Sequence, residues 1–180
     1  MRSWKRIIVL AVVLVIIAGS GAGAGEFYLH EQKDYWWYYV GTPGFYAVIP
    51  SNAERYYKKA VFGYEFLEIL WEKENVVMEI GAIPNSTVTN AINFVAKRWS
   101  PFLKNETVLA NREITTSNNL KAYFYAVEGT GPDAVKYMLR SVYFTKEGTV
   151  VYLAMYLPSG KYTGTMLNHW IKAVNESEWE

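Results

Sequence analysis

Residues 150–157 are apolar at every position, and this run constrains the fold more than any other feature of the sequence. Consecutive side chains of a β-strand point to opposite faces of a sheet, so both faces must be covered where this strand lies. Two segments with apolar residues at helical spacing, 88–99 and 162–174, are predicted to supply the covers. A helix, sheet, helix arrangement is the simplest fold that satisfies the pattern.

The rest of the sheet is predicted from short runs of β-branched and aromatic residues bounded by turn signals. The predicted strands are residues 45–49, 64–72, 76–83, 107–115, 120–128, 136–145 and 150–157. Short polar connections join most of them, which favours antiparallel pairing. We therefore expect an α+β domain over residues 44–180, in which helices cover both faces of an antiparallel sheet of six or seven strands, an α/β/α sandwich.

An N-terminal hydrophobic helix is predicted to precede this domain. Residues 7–17 are all Ile, Leu, Val or Ala, and the uncharged stretch continues to Gly25. At about 1.5 Å per residue, a helix over residues 7–25 is long enough to cross a hydrocarbon core of about 30 Å. Arg2, Lys5 and Arg6 precede the apolar run. The positive-inside rule therefore predicts a single pass through the cell membrane, with the N-terminus inside and the domain outside.

Residues 1–25 also have features of a cleavable signal peptide. The strongly apolar part has the length of a signal-peptide core, and Ala22-Gly23-Ala24 fits the small-residue pattern of a cleavage site. The segment is therefore predicted to be a signal anchor, or a signal peptide whose cleavage near Ala24 releases a secreted domain.

Residues 26–43 are predicted to form an aromatic-rich juxtamembrane linker. Its centre is the consecutive run Tyr35, Trp36, Trp37, Tyr38 and Tyr39. Trp and Tyr are enriched at membrane–water interfaces, so these residues are candidates for contact with the membrane interface or with a partner. The same residues equally suit a packed first strand, since aromatic residues are enriched in strands. The sequence leaves both interpretations open.

Three sequons begin at Asn85, Asn105 and Asn175, in predicted loops or at a helix end. A glycan would be sterically tolerated at such places, so the three asparagines are candidate glycosylation sites of an exported glycoprotein.

The charge balance argues against nucleic acid as a partner. The formal net charge is +1, but three of the 18 basic residues precede the apolar run, which leaves 15 basic against 17 acidic residues beyond it. No block of basic residues in that part could neutralise a row of phosphates.

Metal and triad chemistry are also not expected. The chain has no cysteine and two histidines, His30 and His169, which fall in different predicted elements. Thiolate and three-histidine metal sites are therefore excluded, and no metal or other cofactor is predicted. His169 is expected to be exposed on the last helix, and no serine stands in a Gly-x-Ser-x-Gly elbow that could use it.

Glu68 and Glu79 lie on neighbouring predicted strands, where two carboxylates could act as acid and base of a hydrolase. Charged rims of half-exposed strands have the same pattern, and cross-strand lysines such as Lys73 would pair with them. The loop 129–133 lacks the Gly-Lys-Ser ending of a phosphate-binding loop. We predict no catalytic residues, and the chain is not expected to be an enzyme.

Several short markers resemble the PsbP/Mog1 family, which includes bacterial and archaeal members of unknown function. They are Gly44-Phe45-Tyr46 before Pro50, Asn111-Arg112-Glu113 before Tyr123-Phe124-Tyr125, the Gly148 hairpin before Tyr152, and Leu157-Pro158 to Tyr162 before the last helix. The resemblance implies an α/β/α sandwich that is not enzymatic and acts as an accessory or assembly factor for larger complexes.

Together these observations predict an extracytoplasmic, membrane-tethered domain that interacts with another protein. The alternative is a domain that binds a small ligand in a pocket lined by Tyr and Trp between sheet and helix, since aromatic residues make up 17% of the chain.

Overall fold

The computed structural model describes residues 27–28, 35–40 and 44–180, which form antiparallel strands and two α-helices. The strands are β1 (Phe27–Tyr28), β2 (Tyr35–Val40), β3 (Phe45–Pro50), β4 (Arg55–Val61), β5 (Tyr64–Trp71), β6 (Val76–Ile83), β7 (Lys104–Thr115), β8 (Lys121–Thr130), β9 (Lys136–Lys146), β10 (Thr149–Pro158) and β11 (Glu178–Trp179). The helices are α1 (Val88–Trp99) and α2 (Gly164–Glu176). Short 3-10 turns cover Glu72–Glu74, Ser100–Phe102 and Ser159–Lys161.

The larger sheet has seven strands in the order β4-β5-β6-β10-β9-β8-β7. Its most apolar strand, β10, lies at the centre, where it pairs with β6 on one side and β9 on the other. Every residue of β10 except Pro158 is buried. Both faces of this strand are therefore covered, as its sequence requires.

The predicted α/β/α sandwich is wrong, because a second antiparallel sheet covers one face of the larger sheet together with α2. This smaller sheet has the order β1-β2-β3-β11, and its apolar side chains join those of the larger sheet and of α2 in one buried cluster. In that cluster Tyr38 and Ile49 of the smaller sheet lie with Leu153 of β10 and Trp170 of α2. The described part of the chain is therefore mostly β, with two α-helices, and is not a sheet between two helical layers.

The N-terminal strands of the smaller sheet lie within the span 26–43 that was predicted as a linker. β2 pairs with β3 along six residues, from Tyr35 opposite Pro50 to Val40 opposite Phe45. Of the two interpretations left open for the aromatic run, the packed strand is the one that the structure adopts. The packed domain therefore includes residues before Gly44.

The other face of the larger sheet is covered by α1. The helix begins after Thr87, whose Oγ1 accepts a hydrogen bond from the Asn90 backbone N–H at 3.3 Å, and it ends before Pro101. Ala91 and Val95 are fully buried against a cluster that contains Phe66 and Tyr152 of the sheet. A single helix thus covers the centre of this face.

The predicted hydrophobic helix over residues 7–25 lies outside the described residues. Within the described ranges, no helix is both long and apolar enough to cross a membrane.

Candidate binding groove

An open groove of about 510 Å³ lies at the end of the larger sheet where β5 and β10 end and β6 and β9 begin. Its apolar floor includes Leu70, Val76 and Val77. Aromatic side chains make up much of the remaining lining, namely Trp71, Trp99, Phe102, Tyr137 and Tyr156. These residues come from separate elements, and the C-terminal end of α1 brings Trp99 over the sheet.

Three of the aromatic rings form a continuous parallel stack. The Trp99 and Tyr156 centroids lie 4.4 Å apart at 15°, and the Tyr156 and Tyr137 centroids lie 5.1 Å apart at 6°. Phe102, half of whose surface is exposed, lies 6.3 Å from Trp99 beside the stack. Tyr137 and Tyr156 are buried, at 9% and 8% exposure, so they hold the half-exposed Phe102 and the partly exposed Trp99 as the accessible aromatic surface of the groove.

A glycine allows the β8–β9 connection to pass close to this stack. A Cβ atom on Gly131 would lie 2.7 Å from the Tyr137 ring, closer than two carbon atoms can approach. The same loop makes a second contact with this residue, in which the Tyr137 hydroxyl donates a hydrogen bond of 2.8 Å to Asp133. Gly131 and Asp133 therefore fix the position of the last ring of the stack.

The groove carries two carboxylates. Glu72 pairs with Arg55 at 3.1 Å, and Asp133 accepts hydrogen bonds from the Tyr137 hydroxyl and the Val135 backbone N–H. The Tyr137 bond, followed by the Val135 bond, lowers the pKa of Asp133 below its ordinary value, so this carboxylate is ionised at neutral pH. Among the described residues that line the groove, none is Lys, Arg or His.

The phenols of the stack remain neutral. Burial raises the pKa of Tyr156 to about 12, with smaller contributions from Tyr137 and from the negative charge of Asp133. Burial also raises the pKa of Tyr137, together with its hydrogen bond to Asp133. The stack therefore contributes neutral rings and the groove retains the negative charges of its carboxylates.

A buried ion pair fixes the end of α1 that carries Trp99. Arg98 donates from Nη2 to Oε1 of Glu79 on β6, and its Nη1 lies 3.4 Å from the Tyr152 hydroxyl. The Arg98 guanidinium also lies 3.8 Å from the centre of the Phe66 ring. Because Arg98 directly precedes Trp99, this pair positions the helix end that forms the groove wall.

Burial changes the acidity of Glu79. The side chain is 1% exposed, and desolvation raises its pKa from 4.5 to about 7, against the opposing attraction of Arg98. Glu68 lies directly opposite Glu79 on β5, and its negative charge raises the pKa further. Glu68 is itself buried and pairs with Lys59, so each carboxylate has its own cation.

The prediction that Glu68 and Glu79 form an exposed rim is therefore wrong, because β6 lies under α1. Lys73, the expected partner, lies 4.0 Å from Glu54 instead. His169 is also buried, at 4% exposure, although the sequence predicted an exposed side chain. Its ring stacks on Trp71, and its Nδ1 lies 2.9 Å from the Tyr35 hydroxyl.

The aromatic run in β2 is divided between the two faces of the smaller sheet. Tyr38 is buried in the core and Trp36 packs against it, with its ring 4.9 Å from Tyr56. Trp37 and Tyr39 both pack on Tyr46, and the Tyr39 hydroxyl donates to Glu180 at 2.9 Å. Contact of these residues, and of Tyr35, with a membrane interface or a partner stays a prediction.

The three sequon asparagines differ in their surroundings. Asn85 and Asn105 are exposed, at left-handed backbone positions with φ of 51° and 53°. Asn175 is half-buried, and its side-chain oxygen accepts a hydrogen bond of 3.1 Å from the Ser117 backbone N–H. Glycosylation at these positions stays a prediction. Among the described residues, no cluster of three or more metal-ligating side chains occurs.

The groove residues were not singled out from the sequence. The relevant signal is the recurrence of Trp and Tyr at the ends of α1, β9 and β10, but each of these residues also fits an ordinary core position. The register between β9 and β10, which places Tyr137 opposite Pro158 and next to Tyr156, brings the two tyrosine rings together, and the end of α1 adds Trp99.

Comparisons with known proteins identify the fold. No protein-family model matches the sequence, and no curated protein gives a significant match. Among solved structures, the chain is similar to the solution structure of cyanobacterial PsbP (CyanoP) from Synechocystis sp. PCC 6803, with a TM-score of 0.51 and 12% identity over 91% of this chain and 96% of that chain. The fold is therefore PsbP-like.

A weaker similarity links the chain to the crystal structure of a protein of unknown function from Pseudomonas aeruginosa. The TM-score is 0.36 at 11% identity, over 78% of this chain and 87% of that chain, which is too low to support an argument.

Proposed function

We propose that this chain is a non-catalytic, extracytoplasmic interaction domain, tethered to the membrane by residues 7–25, that acts as an accessory or assembly factor and holds a partner protein in the aromatic groove. Cleavage near Ala24 would make it a secreted form of the same domain. The observation that carries the proposal is the preformed stack of Trp99, Tyr156 and Tyr137 beside the half-exposed Phe102.

Preformed aromatic surfaces favour binding because little side-chain entropy remains to be lost when a partner docks. Trp and Tyr are also the residue types that most often dominate the binding energy of protein interfaces. In this groove the rings are held by packing, by Gly131 and by the bond from Tyr137 to Asp133. A partner side chain would therefore meet a rigid apolar surface with a charged margin.

The arrangement of the carboxylates supports binding over catalysis. A general acid or base needs a proton to exchange with a substrate, and Glu72 and Asp133 already hold hydrogen-bonding or ionic partners. Glu79, whose pKa is raised, lies under α1 with 1% exposure and has no open path to a substrate. The PsbP-like fold supports an accessory role through the family that the sequence resembles.

The test is recovery of a partner from detergent-solubilised membranes with the full chain as bait. Phe102→Ser should abolish retention of the partner, because it removes the exposed apolar ring of the groove. The matched control is Phe62→Ser, which removes a ring that is 82% exposed on the β4–β5 turn, outside the groove lining. Equal retention by the wild type and by both variants would contradict the proposal.

A second candidate function is binding of a small ligand in the same groove. Its volume of about 510 Å³ lies within the range of about 300–1,000 Å³ that is usual for small-molecule sites. A ligand that binds the native state must raise the melting temperature. A thermal-shift screen of the full chain in detergent should therefore find compounds that stabilise the wild type and not Phe102→Ser. If no compound does so, the small-ligand alternative fails.

A further inference from the structure

We propose that the groove recognises a basic side chain, arginine or lysine, flanked by apolar residues in a segment of the partner protein. The inference rests on the proposed function, since it names the chemistry of the partner that the groove would hold.

The first argument is the sign of the charge in the groove. Glu72 and Asp133 line it, and no described lining residue is basic. Glu72 is balanced by Arg55, whereas both hydrogen bonds to Asp133 come from neutral donors. Asp133 therefore keeps a net negative charge, and within the described ranges no Lys, Arg or His pairs with it.

The second argument is the free-energy cost of placing an anionic or a purely apolar group in the groove. A carboxylate or phosphate placed here would lose water and face the unbalanced negative charge of Asp133. A purely apolar segment would cover Asp133 and remove its hydration without a compensating charge. A cationic side chain avoids both costs, because it replaces the lost water with an ion pair.

The third argument is the aromatic lining. A guanidinium or ammonium group is attracted to the faces of aromatic rings as well as to carboxylates. The same chain uses this combination internally, where the Arg98 guanidinium lies 3.8 Å from the centre of the Phe66 ring and pairs with Glu79. In the groove, the Tyr137 hydroxyl donates a hydrogen bond to Asp133, so the carboxylate lies at the end of the aromatic stack.

The size of the groove indicates a peptide segment instead of a free cation. Leu70, Val76 and Val77 give the lining an apolar part besides Asp133, and Phe102 in the same lining is half-exposed. A segment with a basic residue next to apolar residues would occupy both parts, whereas an isolated guanidinium would fill a small fraction of about 510 Å³.

The test uses random twelve-residue peptides displayed on phage as the probe. They are selected on the full chain in non-ionic detergent and then counter-selected on the Phe102→Ser variant, so that groove-dependent peptides remain. We expect these peptides to be enriched in Arg or Lys beside apolar residues. Synthetic versions in which citrulline, a neutral isostere, replaces arginine should bind about tenfold more weakly, and binding of the parent peptides should weaken at high salt.

The matched variant is Asp133→Asn, which removes the charge and keeps one of the two side-chain oxygens that accept hydrogen bonds from Tyr137 and Val135. It should weaken the arginine peptides about five- to tenfold and leave the citrulline peptides unchanged. Glu106→Gln, an exposed carboxylate of β7 outside the groove lining, is the control and should have no effect.

Two outcomes would overturn the inference in distinguishable ways. Groove-dependent peptides that lack basic residues, or that bind Asp133→Asn as well as the wild type, would refute the cationic partner and leave the groove as an interaction site. Peptides that bind Phe102→Ser and the wild type equally would refute the groove itself, and the proposed function with it.

Discussion

Arg98 at the end of α1 and Glu79 in the middle of β6 form a buried ion pair under the helix, with side-chain exposures of 14% and 1%. The residue that follows Arg98 begins the aromatic stack of the groove. The pair therefore couples the stability of the helix end to the geometry of the candidate site, and this relationship leads to the first two predictions.

At about pH 8, above the pKa of Glu79, replacing Arg98 with Met should destabilise the fold by about 3–5 kcal/mol, because it leaves the Glu79 carboxylate buried without a cation. Urea denaturation of the full chain in detergent measures the change. Lys97→Met is the control, since the neighbouring lysine is exposed in the same helical turn and should cost less than about 0.5 kcal/mol. Equal stability of the two variants would show that the ion pair does not hold α1.

The stability of the protein should fall as the pH rises, through the titration of Glu79. Its pKa is about 7 when folded and 4.5 ordinarily, so between these values the folded state binds more protons than the unfolded state. The contribution is therefore fully present below about pH 4.5 and is lost as the pH rises through about 7. From about pH 5 to about pH 8, the stability of the wild type relative to Glu79→Gln should fall by on the order of 2 kcal/mol.

Unfolding free energies of both proteins at a series of pH values measure this difference. Subtracting the two unfolding free energies cancels the contributions of the other titrating groups, as long as the variant keeps the fold. If the unfolding free energy of the wild type relative to Glu79→Gln stays constant or grows with pH, Arg98 keeps Glu79 ionised over the whole pH range.

Gly131→Ala should disturb the last ring of the stack, because the new methyl group would lie 2.7 Å from Tyr137. We expect a loss of about 1–3 kcal/mol in stability, as for other overpacked sites, and weaker binding in the groove. Gly160→Ala is the matched control, since a Cβ atom there would meet nothing within 4 Å. Thermal unfolding compares the two variants, and an unchanged melting temperature for Gly131→Ala would contradict the close approach.

Ser177→Ala should destabilise the junction between α2 and the smaller sheet. The Ser177 hydroxyl is fully buried, accepts a hydrogen bond of 3.0 Å from the Val48 backbone N–H and donates to the Ala173 carbonyl. Its loss leaves buried backbone groups unpaired, at a cost of about 1–3 kcal/mol. Chemical denaturation measures the cost against Ser86→Ala, whose hydroxyl makes an exposed bond. Equal stabilities would contradict a structural role for this bond.

The sequence predicted the larger sheet more closely than the smaller one, for a physical reason. β6 spans Val76–Ile83, the same residues as the predicted strand, since a short loop and a proline bound its apolar run. β4 was not predicted, because an edge strand with mostly exposed residues has no apolar alternation. The aromatic run of β2 fits a membrane interface and a strand equally well, so its place in a second sheet depends on contacts distant in sequence.

The groove and the buried ion pair could not be predicted from the sequence for a related reason. Glu79 looks like a surface residue until α1 is placed over β6, and Tyr137 and Tyr156 meet through strand register. The sequence shows which residues are charged or aromatic. It does not show which of them meet, because the site forms through packing between elements.

The central claim, that a partner protein docks in the aromatic groove, is tested most directly by site-specific photocrosslinking in native membranes. A photoreactive benzoylphenylalanine in place of Phe102 should give a discrete adduct with one partner protein, whereas the same group in place of Phe62 should not. An adduct that forms equally at both positions, or only at position 62, would contradict the account.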